Sequence, residues 1–137
     1  MNSLNSKDKI DQVIHYINKR HSDIFILIDT RTSIEMESYL NTVWNGHILY
    51  NSAHNGSRGI AILFKKRLRI EQLTHKIEIV GNLSYVFFKL QSQTFTLAAL
   101  YGPSDSDDSD FFSKHVFEEE NFPNSDHIIF PETGIQF

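Results

Sequence analysis

A layered α/β fold, with helices packed on a mainly antiparallel sheet, follows from two features of the 137-residue sequence. The stretch "SKDKIDQVIHYINKRH" sets Ile10, Val13, Ile14 and Ile17 at the spacing i, i+3, i+4, i+7 with Lys and Asp opposite, the period of an amphipathic helix. It runs directly into "DIFILID", a near-continuous apolar run of β-branched and aromatic residues, the pattern of a strand covered on both faces. A helix feeding a buried strand is a building step of α/β layers.

The other elements follow in order. A second, less regular helix is expected over 33–43, "SIEMESYLNTV". "GHILYNSA" and "RGIAILFKK" read as two strands joined through "HNGS", whose Asn55-Gly56 pair is a tight-turn signal. After "KKRLR" comes a stretch without clear period, then "SYVFFKL" and "TFTLAALY", consecutive antiparallel strands joined by the polar "QSQ". "DSDFFSKHVFEEEN" is expected as a short helix with aspartates at its start, where the helix dipole favours them. "HIIF" is the last expected strand, before a seven-residue tail. No repeat or linker interrupts the pattern, so residues 1–137 are expected to form one domain.

Composition narrows the function classes. With 40% apolar residues, 12% aromatic and a net charge of -4, neither disorder nor an all-over basic nucleic-acid coat is implied, and an anionic partner must be met by a local patch. The run "KKRLR" supplies one, with Lys65, Lys66, Arg67 and Arg69 as candidate nucleic-acid contacts; a solvated turn between strands is the plainer alternative. The absence of cysteine excludes disulfides, thiolate zinc sites and a cysteine nucleophile. The polar N-terminus lacks a signal-peptide core and the apolar runs fall far short of the roughly 20 residues of a membrane span, so an intracellular protein with no membrane partner is expected. An EF-hand begun at Asp105 fails, because Asp110 and Val116 stand where Gly and Glu are required.

Four stretches in this order, "SDIFILIDTRTS", "SRGIAILFKK", "LAALYGPSDSDDSDFF" and "DHIIFPETGIQF", resemble the endonuclease/exonuclease/phosphatase (DNase I-like) family over nearly the whole chain, and within it the endonuclease domains of LINE-type retrotransposons. The resemblance implies a divalent-metal-dependent phosphodiesterase built as a two-sheet α/β sandwich. Such chemistry needs a hard cation held by carboxylate oxygens, an oriented water and donors for the developing charge. By this resemblance Asp29, in "LIDT", takes the place of the family's metal-binding Glu, and Tyr101, in "LYGPS", takes that of the tyrosine that donates to a phosphate oxygen. Read on residues alone, Asp29 is first a strand-end or turn carboxylate meeting neighbouring backbone N–H groups, and Tyr101 is equally an aromatic at the edge of the core. Glu132 falls on the nucleophile-orienting Asp of the family's D-x-N and is a second metal candidate, while Gly134 stands where the Asn would be.

Other family parts are missing from this stretch. The first-strand catalytic Asn would fall before Met1, and the family continues for about a hundred residues past the D-x-N, with a second sheet, an Asp and the general-base His. The chain is therefore expected to be the N-terminal part of a sandwich, with one sheet carrying helices on one face and bare on the other. It is expected to hold Mg²⁺ or Mn²⁺ weakly if at all, to be inactive as it stands, and to self-associate through the uncovered face. The alternative is a non-catalytic remnant that at most binds nucleic acid or a protein. At roughly 25 cal/mol per Å², several hundred Å² left unburied would forgo on the order of 10 kcal/mol.

Overall fold

A computed structural model describes residues 3–101, together with the strands at 127–129 and 135–136. Its elements are α1 (Lys7–Asn18), β1 (Ile24–Ile28), α2 (Ile34–Val43), β2 (Gly46–Asn51), β3 (Ile60–Lys65), β4 (Glu71–Ile79), β5 (Leu83–Leu90), β6 (Gln93–Leu100), β7 (His127–Ile129) and β8 (Ile135–Gln136). The expected helix 108–121, Glu132 and Gly134 lie outside the described residues.

Both helices start where their sequences supply a cap. Ser6 Oγ accepts from Lys9 N at 3.2 Å, and Ser33 Oγ accepts from Met36 N at 3.2 Å, each satisfying an N–H that has no partner within the helix. Ile10, Val13, Ile14 and Ile17 of α1 and Leu40 of α2 then pack on one face of a sheet, against Phe25, Leu27, Ala61 and Leu63.

The strands divide into two sheets, β2-β3-β1-β8 and β4-β5-β6-β7. Each has three antiparallel strands and one parallel edge strand, β8 beside β1 and β7 beside β6. This confirms an α/β sandwich and corrects the expectation of a single sheet with a bare face. Alternation inside the continuous apolar runs explains how. In β1 and β3, Phe25, Leu27, Ala61 and Leu63 face the helices, while Ile26, Ile60, Ile62 and Phe64 face the second sheet and meet Val86, Phe88, Leu97 and Ala99. Phe64 and Phe88 touch edge to face across the two sheets, with centroids 5.9 Å apart and planes at 71°. The face from which self-association was expected is thus already covered.

The second sheet forms because residues 71–79 are a strand, where the sequence shows no clear period. β4 lies at the sheet edge, none of its residues is fully buried, and its register slips twice, between Glu71 and Thr74 and between Ile77 and Ile79. An irregular, half-exposed edge strand has no alternation to read. The β2–β3 connection is also longer than a tight turn: the pairing of Asn51 with Ile60 leaves eight residues, 52–59, as a loop in which Asn55 Oδ1 accepts from Ser57 N at 3.1 Å. Conversely "QSQ" shrinks to a two-residue turn, Gln91 and Ser92, both with positive φ, as the twist of a tight hairpin demands. Among the described residues no helix is long and apolar enough to cross a membrane.

One side chain joins the two sheets at one end. Asn51, the last residue of β2 and 1% exposed, points its Nδ2 at Ile79 O (3.0 Å), Leu83 O (3.1 Å) and Ser84 Oγ (2.8 Å), while its Oδ1 accepts from Gly81 N (2.7 Å). Replacing Asn51 with Ala removes three buried hydrogen bonds, to Leu83 O, Ser84 Oγ and Gly81 N, and a part-buried one to Ile79 O, and a loss of about 3 kcal/mol in urea unfolding is expected. At the β4 edge His75 pairs with Val86 of the inter-sheet core, and its buried Nε2 has no hydrogen-bond partner among the described residues. Burial holds its pKa below the ordinary value of 6.5, so the folded state takes up the proton less readily than the unfolded one. Stability should therefore fall as pH drops through 6.5 towards the lowered folded value, and His75→Leu should flatten that part of a stability–pH profile.

Candidate functional site

The candidate residues separate to opposite ends of the first sheet. β1 runs from Ile24, paired with Phe64, to Ile28, paired with Ile60, so Asp29 leaves one end and Lys65 begins the basic run at the other. Five residues of strand place them on the order of 15 Å apart. Two of the four basic candidates are tied to their own chain. Lys65 Nζ donates to Arg20 O and lies 5.5 Å from the centre of the Phe25 ring, and Arg67 Nε donates to Asp23 Oδ1 at 2.5 Å. Lys66 and Arg69 are exposed and have no partner among the described residues.

Asp29 and Tyr101 come together at the other end, through residues that the sequence reading did not single out. Asp29 has a side chain only 7% exposed, and Arg31 closes on it with both sides of its fork: Nε to Oδ1 at 2.8 Å and Nη2 to Oδ2 at 3.3 Å. The Arg31 side chain remains 41% exposed. Its pKa is raised first by the hydrogen bond to Asp29 and then by that carboxylate's charge, with Tyr101 near enough to act on it in the same sense. Tyr101 itself is fixed by Asn82, which accepts its N–H on the backbone carbonyl at 2.7 Å and donates Nδ2 to its carbonyl at 2.7 Å. Asn82 Oδ1 in turn accepts from Arg58 Nη1 at 3.1 Å. Asp29, Arg31, Tyr101, Asn82 and Arg58 form one polar end of the sandwich.

The loops that build this end are strained and locked. Asp29, Arg31, His54 and Arg58 have φ of 55°, 52°, 58° and 55°, a region costly for residues other than Gly. Backbone bonds hold them there: Arg31 N to Arg58 O at 2.9 Å, Thr30 N to Gly59 O at 3.2 Å and Gly59 N to Gly81 O at 3.2 Å. On the helix side Glu37 links the same two loops, its Oε2 accepting from Thr32 (2.7 Å) and Ser52 (2.5 Å) hydroxyls and its Oε1 facing His54 Nε2 at 3.1 Å. Two buried hydroxyls nearby, Ser3 Oγ and Thr30 Oγ1, have no partner among the described residues.

As arranged, these residues do not fit a bound divalent cation. Both Asp29 oxygens are engaged by a fixed positive charge, and a metal would have to displace a two-point ion pair. Among the described residues no three His, Asp or Glu side chains are grouped as ligands. What the end can do chemically is offer donors. Arg31 has five N–H groups and spends two on Asp29, and the Tyr101 hydroxyl has no partner among the described residues.

The fold and this site define a class: a two-sheet α/β sandwich with a polar, cation-bearing end. No known family model matches the chain. It is similar to an uncharacterized 149 kDa protein of transposon TX1 from Xenopus laevis, at 26% identity over 93 residues, or 68% of this chain. The match takes in only 7% of that longer protein.

Arg31 and Arg58 were in plain view in "DTRT" and "SRG", but only loop conformation brings them together. Gly59 is what permits it. At φ 120°, a Cβ there would lie 2.5 Å from Thr30 Oγ1 and 3.3 Å from Arg31 N. Gly59→Ala is expected to destabilise by about 2 kcal/mol or more in denaturant melts and to shift the Arg31 and Thr30 amide signals.

Proposed function

We propose that this chain is a retrotransposon-derived domain of the endonuclease/exonuclease/phosphatase kind that contacts DNA and does not cut it in the form described. The observation that carries this reading is the Asp29 carboxylate, buried and held at both oxygens by Arg31. The similarity to a transposon protein supports the lineage. A metal-dependent phosphodiesterase, with Asp29 and Glu132 on Mg²⁺ or Mn²⁺ and Tyr101 on the phosphate, is the second reading, favoured by the meeting of Asp29 and Tyr101 at one end. It requires Arg31 to release Asp29.

Purified protein is expected to nick supercoiled plasmid no faster in Mg²⁺ than in a metal-free control; nicking that disappears in Asp29→Ala would establish the second reading instead. In parallel, fluorescence anisotropy with a short duplex should show weak, salt-sensitive binding. The double variant Lys66→Ala/Arg69→Ala should flatten the log–log salt dependence by about two. Binding that ignores both salt and these substitutions would remove DNA as the partner.

A further inference from the structure

We propose that Asn55 is a self-modifying site: in the folded protein it converts to aspartate and isoaspartate without an enzyme, promoted by the loop 52–59, while the fold suppresses the same step at the other Asn-Gly pair, Asn45-Gly46. The reaction needs only the chain and water. Gly56 N attacks Asn55 Cγ; the N–Cγ bond forms, the Cγ–Nδ2 bond breaks, Gly56 N gives up its proton and Nδ2 leaves as ammonia. The five-membered succinimide then takes up water. Opening at the N–Cγ bond gives aspartate, and opening at the bond from Gly56 N to the Asn55 main-chain carbonyl carbon gives isoaspartate, with an extra methylene in the backbone. A following glycine favours ring closure because it sets no Cβ beside the attacking nitrogen.

Asn55 Oδ1 accepts from Ser57 N at 3.1 Å and from Ser57 Oγ at 2.7 Å. The ring closed by the first bond contains both Cγ and Gly56 N, so electrophile and nucleophile are folded into one turn and part of the entropy of bringing them together is already spent. Negative charge gathers on Oδ1 as Gly56 N attacks, and the two Ser57 donors already sit on that oxygen, as an oxyanion hole would place them. The reacting nitrogens are free: among the described residues neither Asn55 Nδ2 nor Gly56 N donates to any group, and a Cβ added to the exposed Gly56 would meet nothing within 4 Å. The flanks of the turn are pinned. On one side Ser52 Oγ donates to Glu37 Oε2 at 2.5 Å and His54 Nε2 lies 3.1 Å from Glu37 Oε1; on the other Arg31 N donates to Arg58 O at 2.9 Å. Asn45 is held differently. Trp44 before it is buried, with N bonded to Leu40 O at 2.9 Å and Nε1 to His47 O at 3.2 Å. Gly46 after it pairs with Lys65 at the start of β2, where a Cβ would lie 2.1 Å from Phe64 O. Gly46 N cannot swing towards Asn45 Cγ without disturbing both neighbours.

The product puts a new negative charge on an exposed loop, and the extra methylene of isoaspartate has to be absorbed between the His54–Glu37 contact and the Arg58–Arg31 bond that tie the loop down. The test uses the purified chain alone. Folded protein and a sample denatured in guanidinium chloride are incubated in the same mildly alkaline buffer. Tandem mass spectrometry assigns the mass gain of deamidation to Asn45 or Asn55, and labelling by an isoaspartate methyltransferase reads the isoaspartate product. In denaturant the two Asn-Gly pairs should react at similar rates. In the folded protein Asn55 should react about tenfold or more faster than Asn45, and about threefold or more faster than it does in denaturant. Ser57→Ala keeps the Asn-Gly pair and removes the hydroxyl donor; it should slow Asn55 about threefold or more in the folded state and leave the denatured rate unchanged. Three results would each overturn the proposal: a folded Asn55 rate no higher than in denaturant, Asn45 reacting as fast as Asn55 in the folded protein, or a Ser57→Ala protein that is folded by its amide spectrum and reacts at the wild-type rate.

Discussion

Asn51 is the interaction on which the polar end depends. A strand end in one sheet and a turn in the other have to be held in register, and backbone ladders cannot do this because, among the described residues, the sheets share no strand pairing. A single buried amide, with a donor and an acceptor side, does it by bonding Ile79 O, Leu83 O, Ser84 Oγ and Gly81 N at once. Ser or Ala would leave several of those groups unpaired, and Asp would lack the donor. With the turn at residues 80–82 thus fixed, Gly81 O can receive Gly59 N and Asn82 can fix Tyr101 and Arg58. The apolar contact between the sheets supplies the driving force, but being non-directional it would tolerate sliding. The amide removes that freedom.

The polar end is accordingly rigid and preorganised rather than roomy. Its backbone is held in unfavourable conformations by bonds from three separate loops, and its charged side chains are paired, Arg31 with Asp29 and Arg58 with the Asn82 amide. This arrangement has a consequence for recognition. A carboxylate open to solvent invites a cation, whereas the same carboxylate behind a guanidinium presents a cation to whatever arrives. One residue, Arg31, decides which of these Asp29 is.

The opposite end has a different character. Lys65 and Arg67 serve the fold by closing the start of β1 against the end of β3, since Lys65 N also donates to Asp23 O at 2.8 Å. Lys66 and Arg69 are exposed and take no such part. The two ends lie on the order of 15 Å apart.

Much of the layer order was legible in the chain because it is written in local period. The i, i+3, i+4, i+7 set of α1 and the two-sided apolar runs of β1, β3, β5 and β6 place each element within a residue or two, and the demand that those runs be covered on both faces was itself a correct statement about the sandwich. What covered them was not legible. β4 is an edge strand without alternation, and β8 is two residues long, too short to carry any period. Asp29 and Tyr101 could be picked out as residue types at strand ends, but their partners could not, since Arg31, Arg58 and Asn82 meet only through positive φ, a glycine without a Cβ and bonds that cross the sheets. The sequence by itself determined which residues would be buried and in what elements, because burial depends on neighbours three or four positions away. The tertiary structure alone decided that Asp29 is already paired, because that depends on how three loops distant in sequence are pinned around one asparagine.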